Sequence, residues 1–335
     1  MIVSTVPFER RLCAIVVTYG DRYALLERVV QRLVDMRVSH TVVVFNGNHN
    51  PERVTMPSSI ISIMLPANLG SSGGFRAGID AALHVDADYF LLLDDDNLPA
   101  LDCIDRLFTT HERLGGSELL TLQAFRPAQP WQRITARDGV VTIGRPNTYG
   151  YFNLFNERHL LRRQLAAAKP SQDLPASPKN TVTRINVAAY GGLFLHRRAL
   201  LLGELPDPRY FCYYDDLDFT DRLTRHGVCI YLSADAIIDD LDTSWHAREE
   251  RAHPVFSANT PDMRVYLDLR NAFIFYRSRM TNRFLYLLNG VGFWLGIAYL
   301  ALFRSTNLRT TLRRLRLIRH AVRHGTRGEF APCPP

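Results

Sequence analysis

The chain predicts an α/β fold, a mainly parallel central sheet with flanking helices, followed by a C-terminal helical extension. Three observations predict it. Short β-rich runs and helical patterns alternate through the first hundred residues. One apolar run, Leu91-Leu92-Leu93, ends abruptly in Asp94-Asp95-Asp96. A buried strand would carry such a triplet to the rim of a sheet, where α/β folds bind ligands. From residue 284 onward, 20 uncharged residues precede a segment rich in arginine.

Residues 12–18, 41–45, 60–65 and 89–93 are rich in branched and aromatic side chains and read as strands. Between them, residues 23–36 and 75–84 repeat apolar positions at helical spacing, the βαβ rhythm of a parallel sheet. Residues 103–114 give another helix after the carboxylates. Pro127, Pro130, Pro146, Pro170, Pro175 and Pro178 interrupt residues 125–180, which read as loops with a helix near 157–168. An apolar stretch at 184–196 contains Gly191-Gly192, and a charged helix at 216–226 follows, ended by Gly227 in the left-handed conformation. Residues 284–303 form an apolar segment. Beyond it Leu308, Leu312, Leu315, Ile318 and Val322 recur at helical spacing among arginines, an amphipathic basic helix. The domain boundary is placed at 280, with an α/β domain over 1–280 and a membrane-associating extension over 281–335.

With 335 residues the chain accommodates one large domain plus an extension, and 47% apolar content excludes disorder. Cys13, Cys103, Cys212, Cys229 and Cys333 are scattered without a C-x-x-C pair. That pattern is neither a disulfide framework nor a zinc site, and it fits a reducing cytosol. No cleavable signal pattern precedes the first strand. Arg304, Arg309, Arg313, Arg314, Arg316, Arg319, Arg323 and Arg327 supply eight charges, which leaves the remainder at −1 of the net +7. The basic tail therefore suits an anionic partner, nucleic acid or a membrane surface.

Four constellations carry candidate chemistry. Three adjacent carboxylates repel unless a cation sits among them, and a hard divalent ion bridging to phosphate is the natural candidate. Asn68-Leu69-Gly70-Ser71-Ser72-Gly73-Gly74-Phe75-Arg76-Ala77-Gly78 offers close backbone approach and free helix N–H groups to an anion. Tyr213-Tyr214-Asp215-Asp216-Leu217-Asp218 places carboxylates behind an aromatic wall completed by Phe211, an arrangement in which a carboxylate acts as general base on a sugar hydroxyl. Asp-Asp-Leu-Asp recurs at Asp239–Asp242 without framing aromatics and reads as a plain loop. Trp245-His246 lies 150 residues beyond Asp96.

Taken in order, these stretches resemble family 2 of the inverting glycosyltransferases, which have the GT-A fold. Val16-Val17-Thr18-Tyr19 looks like the family's first strand and nucleotide-binding loop, and Asn46 sits where the family contacts the base. The glycine loop, the triplet, Gly191-Gly192-Leu193-Phe194 with the aspartate helix, Trp245-His246 and Arg270-Asn271 complete the series over about residues 10–280. The Gly-Gly-Phe form is most similar to bacterial galactofuranosyltransferases, as is Arg145-Pro146-Asn147-x-x-Gly150-Tyr151-Phe152 near their acceptor site; rhamnosyltransferases come next. Those relatives often carry Trp where this chain has Tyr151 and Tyr214.

The resemblance implies roles. Asp96 and His246, with Asp94, would hold Mg²⁺ or Mn²⁺ against the donor diphosphate. Thr18, Tyr19, Asn46, Asn68, Gly73, Gly74, Arg76, Asp94 and Asp95 would form the donor side. Tyr151, Gly192, Tyr214, Asp215 and Asp218 would bind the acceptor, with Asp216 the catalytic base. The donor would be UDP-galactofuranose first and dTDP-rhamnose next. A lipid-linked glycan would be the acceptor. Residues 284–327 would rest on an anionic membrane surface rather than on nucleic acid, at the cytoplasmic face of the inner membrane. A sugar nucleotidyltransferase is the competing enzyme reading, and its basic glycine loop after the first strand is poorly matched by Gly20-Asp21-Arg22. A non-catalytic protein acting through its basic tail is the competing binding reading.

Overall fold

The computed structural model describes residues 11–47, 56–57, 60–159, 181–242, 253–305 and 307–334. The strands are β1 (Leu12–Thr18), β2 (His40–Asn46), β3 (Ile60–Leu65), β4 (Tyr89–Asp94), β5 (Asn97–Pro99), β6 (Leu120–Phe125), β7 (Val182–Ile185), β8 (Leu193–His196) and β9 (Cys229–Asp240). The helices are α1 (Tyr23–Asp35), α2 (Gly70–Ala82), α3 (Cys103–Arg113), α4 (Pro130–Asp138), α5 (Arg197–Leu202), α6 (Asp215–Arg225), α7 (Asp262–Arg277), α8 (Arg283–Phe303) and α9 (Leu308–Arg327). The expected helix near 157–168 falls mostly outside the described residues.

The sheet runs β3-β2-β1-β4-β8-β6-β9-β5, with β7 also on β9. Its first four strands are parallel; β8 is antiparallel to both β4 and β6. The chain moves outward from β1 through β2 to β3, then returns to place β4 on the other side of β1. That reversal opens a crevice at the carboxyl ends of β1 and β4, where open α/β sheets bind ligands. Val17 is paired with Asp94, so Thr18 and the aspartate triplet stand at this rim.

All seven residues of β1 are buried, because helices cover both faces and successive side chains alternate between them. Cys13, Ile15 and Val17 pack with Phe75, Ile79, Phe219 and Leu223 beneath α2 and α6. Leu12, Ala14 and Val16 pack with Leu26, Val29 and Leu33 of α1 and Leu107 of α3. Helix α2 starts at Gly70, five residues before the helix expected from residue 75, so the glycine-rich segment is the helix's first two turns. A Cβ on Gly74 would stand 2.6 Å from Val17 Cγ1, and one on Gly78 2.6 Å from Ile15 Cγ2. These glycines let the helix lie close on the sheet.

The boundary at 280 does not separate two cores. Tyr266 and Phe273 of α7, Phe293 and Ile297 of α8, and Leu317, Ile318, Ala321 and Val322 of α9 form one cluster. The Tyr266 hydroxyl lies 2.7 Å from His324 Nδ1, and Arg270 Nη1 donates to the Ala331 carbonyl at 2.7 Å. The C-terminal part of the α9 stripe, Ile318 and Val322, is therefore buried with α7, while Leu308 and Leu312 stay exposed, and the tail folds back onto the α/β body. Arg314 lies fully buried, bonded to the Ser257 and Thr260 carbonyls and paired with Asp262.

Candidate functional site

At the β1–β4 crevice the three aspartates meet three different environments. Asp95 is buried, accepting from Thr18 Oγ1 at 2.6 Å and from Arg22 Nε at 2.8 Å. Asp96 accepts from Arg22 Nη2 at 3.0 Å and from Asn97 Nδ2 at 3.0 Å. Asp94 is partly open, with Arg126 Nη1 4.0 Å away. Burial, together with the neighbouring Asp96, Asp95 and Asp216, pushes its carboxyl up to about 7 against the pull of Arg126. A carboxylate in that state favours an added cation.

Two arginines neutralise the rest of the cluster. Arg22 also donates to Asp242 at 2.8 Å. Arg126, buried, donates to Asp240 at 2.7 Å, and Gln129 and Asn97 reach the same carboxylate at 2.9 and 3.2 Å. The second Asp-Asp-Leu-Asp is thus not a plain loop. Asp239 and Asp240 end β9, which pairs with β5 immediately after the triplet and brings Asp240 opposite Asn97. The sequence assigns no role to Arg22 or Arg126 and reads Asp240 and Asp242 as loop, because their partners lie from 73 to 220 residues away.

The acceptor-side segment is joined to the glycine helix. Ser71 Oγ donates to Asp215 at 2.8 Å, and Ser72 donates from both N and Oγ to the Phe211 carbonyl. Gly70, at φ +73°, lies so close to that carbonyl that a side chain would overlap it. Phe211, Tyr213 and Tyr214 all have φ above +60°, a conformation that costs about 1–3 kcal/mol per non-glycine residue and persists only where the surroundings fix it. Here α7 fixes it. Asn271 Nδ2 donates to the carbonyls of Tyr210, Cys212 and Tyr213, and Arg270 Nη2 to those of Arg209 and Tyr210.

Asp215 is buried and held well above the usual carboxylate range by that burial and by Asp216. Asp216 is partly open in the first turn of α6. Its Oδ1 accepts from the Leu217 N–H at 2.8 Å, and burial raises it to about 6 against backbone N–H groups and Arg126. The mutual influence of Asp94, Asp215, Asp216 and Arg126 puts the ends of β4 and α6 in one electrostatic site.

The remaining candidates sort by contact. Asn46 latches the glycine helix, donating to the Gly70 carbonyl at 2.7 Å and accepting from Leu69 N at 2.8 Å. Asn68 Oδ1 caps Gly70 N at 2.9 Å. Gly73 and Gly74 are buried, and Arg76 points outward to the Pro206 carbonyl at 3.2 Å. Tyr19 is exposed beside Arg22. Gly192, at φ +88°, bridges Leu92 and Ala124 through its backbone, while Gly191 makes room for Asn97 and Arg126. Asp218 is held by Arg222 and Tyr210, Tyr214 packs on Phe275 and Tyr276, and the Tyr151 hydroxyl donates to Asp268 at 2.7 Å. Asp94 and Asp96 offer the oxygen donors that Mg²⁺ or Mn²⁺ prefers, and the raised Asp94 fits that charge. Among the described residues no three His, Cys, Asp or Glu side chains converge on one point. His246 lies outside the described residues.

This architecture aligns with that of GalNAc-T7, solved with UDP, GalNAc and Mn²⁺, at TM-score 0.50 and 11% identity over 80% of this chain and 50% of that one. The chain has the GT-A glycosyltransferase fold. Glucosyl-3-phosphoglycerate synthase from Mycobacterium tuberculosis aligns at TM-score 0.46 and 13% identity, covering 82% of each chain. In sequence, 97 residues are 39% identical to galactofuranosyltransferase GlfT1 of Mycolicibacterium smegmatis. That match spans 27% of this chain and 31% of the relative's length. No family model matches the chain. Within this fold the first turn of α6 is tied through Asp215 to Ser71 at the start of the glycine helix.

Proposed function

We propose that the protein is a metal-dependent inverting glycosyltransferase. It moves a hexosyl group, galactofuranose in the favoured reading, from a nucleoside diphosphate to a hydroxyl of a lipid-linked glycan. One observation carries this reading: Asp94 and Asp216 influence each other from the ends of β4 and α6 while Asp95 and Asp240 are neutralised by Arg22 and Arg126. The local match to a galactofuranosyltransferase supports the sugar.

A divalent cation bound there would offset charge on the departing diphosphate. Asp94 and Asp96 would hold it, with His246 as the further ligand expected from sequence. Thr18 and Arg22 fix Asp95, and so fix the turn that presents both ligands. Asp216 takes the proton from the acceptor hydroxyl as that oxygen attacks the anomeric carbon, and attack opposite the leaving group inverts the centre. Its raised value suits a base that must accept a proton near neutrality.

The C-terminal helices support attachment to a bilayer. Helix α8 is 21 residues long and apolar enough to cross a membrane, and only 22% of its most apolar 18-residue stretch is buried. Its buried stripe, Asn289, Gly290, Phe293 and Ile297, lies along the body, while Phe284, Leu287, Val291, Leu295, Leu302 and Phe303 are exposed. A helix fastened to the body along its length suits lying in the interface. Helix α9 buries Ile318 and Val322 with α7 and contributes the exposed Leu308 and Leu312 together with Arg309, Arg316, Arg319 and Arg323. The cytoplasmic leaflet is the side proposed, since nucleotide sugars reside there.

Purified protein offered UDP-galactofuranose and dTDP-rhamnose should release nucleotide with only one of them, in a Mn²⁺- or Mg²⁺-dependent manner, and Asp96→Ala should abolish that release. Unchanged transfer by Asp96→Ala would refute the metal role. Binding to vesicles containing phosphatidylglycerol should be lost when Leu287, Val291 and Leu295 become serine.

A further inference from the structure

Tyr151 lies on the tight turn closed by Tyr149 and Phe152. The structure gives that tyrosine's hydroxyl a partner. Tyr151 is 41% exposed, yet its hydroxyl is turned inward to Asp268 Oδ2 at 2.7 Å. Asp268, only 4% exposed, sits in the middle of α7.

The turn that carries Tyr151 is fixed at both flanks. Tyr149 and Phe152 exchange two backbone hydrogen bonds at 3.0 Å. Asn289 of α8 donates to the Asn147 carbonyl at 2.8 Å and accepts from Leu154 N at 2.9 Å. Gly150 has φ +60°, and a Cβ there would stand 2.9 Å from the rings of Phe273 and Phe293. The backbone is thus set, and the ring's orientation is left to the hydroxyl.

Three residues further along α7, Asn271 holds the carbonyls of the other aromatic wall, 210–213. Asp268 also lies close enough to raise Cys212, Tyr213 and Tyr214. One helix therefore registers both walls, one through Asp268 and one through Asn271.

We propose that Asp268 is a positioning residue that holds the Tyr151 ring as a stacking platform for the terminal sugar of the acceptor. Sugar rings present C–H faces that pack on an aromatic plane, and a phenol tied at its far end presents that plane in a fixed orientation. The Tyr and the Asp thus work as a pair.

This inference rests on the acceptor reading of the preceding section. The test uses octyl glycosides ending in galactofuranose or rhamnose as acceptors. Tyr151→Phe, which removes one oxygen and leaves the ring, should raise acceptor KM roughly three- to ten-fold, the worth of one hydrogen bond, with kcat and UDP binding nearly unchanged. Asp268→Ala should do the same, Asp268→Asn should restore most of the wild-type KM, and Tyr151→Phe with Asp268→Ala should be no worse than either alone. Unchanged acceptor KM in Tyr151→Phe, with wild type saturating normally, would overturn the pair while leaving the glycosyltransferase reading intact. Equal loss of kcat and UDP binding would also overturn it, because that marks a structural role. If wild type saturates with neither acceptor while still releasing nucleotide from its donor, the acceptor reading falls, and this inference with it.

Discussion

The tetrapeptide Asp-Asp-Leu-Asp occurs twice, and the two copies live in different electrostatic worlds. Asp239–Asp242 closes β9 against arginines: Asp240 bonds to Arg126 and Asp242 to Arg22. Asp215–Asp218 opens α6, where Asp215 and Asp216 have hydroxyl and backbone donors in place of a paired arginine. The first copy is compensated charge. The second keeps carboxyl groups raised toward neutrality by burial, Asp216 to about 6. Identical residues are structural where a cation closes on them and available for chemistry where none does.

Five experiments press on that contrast. Asp216→Asn should cut transfer about a hundred- to ten-thousand-fold with UDP binding retained by thermal shift; comparable loss from Asp240→Asn, with the fold intact, would erase the distinction. Asp240→Ala should instead destabilise the fold by about 3–5 kcal/mol, because Arg126 loses its buried counter-charge, as measured by urea denaturation. Transfer should fall about tenfold per pH unit below about 6, as the base is protonated. Stability should follow the opposite sign. A carboxyl raised from 3.8 to about 6 contributes stability that is fully present below about pH 4 and lost as pH rises through 6. Asp216→Asn should therefore flatten the melting-temperature profile across that window. The smallest effect belongs to Asp242→Asn, whose side chain is 39% exposed and whose pair with Arg22 should be worth about 0–1 kcal/mol in a double-mutant cycle.

Much of the α/β body was legible before any coordinates. Strands at 12–18 and 60–65 match β1 and β3, and the carboxylate triplet falls at the rim as its abrupt polarity predicted. Gly227 ends α6 at φ +89°. These are local signals, since burial on both faces demands an apolar run and a helix end demands a residue tolerant of positive φ. The glycine segment is legible only in part: its composition looks the same whether the glycines cradle phosphate or admit a sheet, and the structure shows that Gly74 and Gly78 lie close on Val17 and Ile15. The tail is legible in the same partial way: its amphipathic pattern does not say that Ile318 and Val322 pack with α7 while Leu308 and Leu312 stay exposed.

The sequence alone determined the four parallel strands β1 to β4, most of α1, α2, α3, α6, α8 and α9, where the aspartate triplet and the α6 aspartates lie along the chain, and that residues 284–303 are uncharged; it did not show β6, β9, α4 or α7. Periodicity and charge are properties of neighbours in the chain, so they are written there. Only the tertiary structure decided which aspartates meet an arginine, that α7 holds both aromatic walls, and that α9 docks on α7 while α8 keeps its apolar surface open. Those outcomes depend on groups that are distant in sequence and come within 3 Å only once the sheet has closed around β1 and β4.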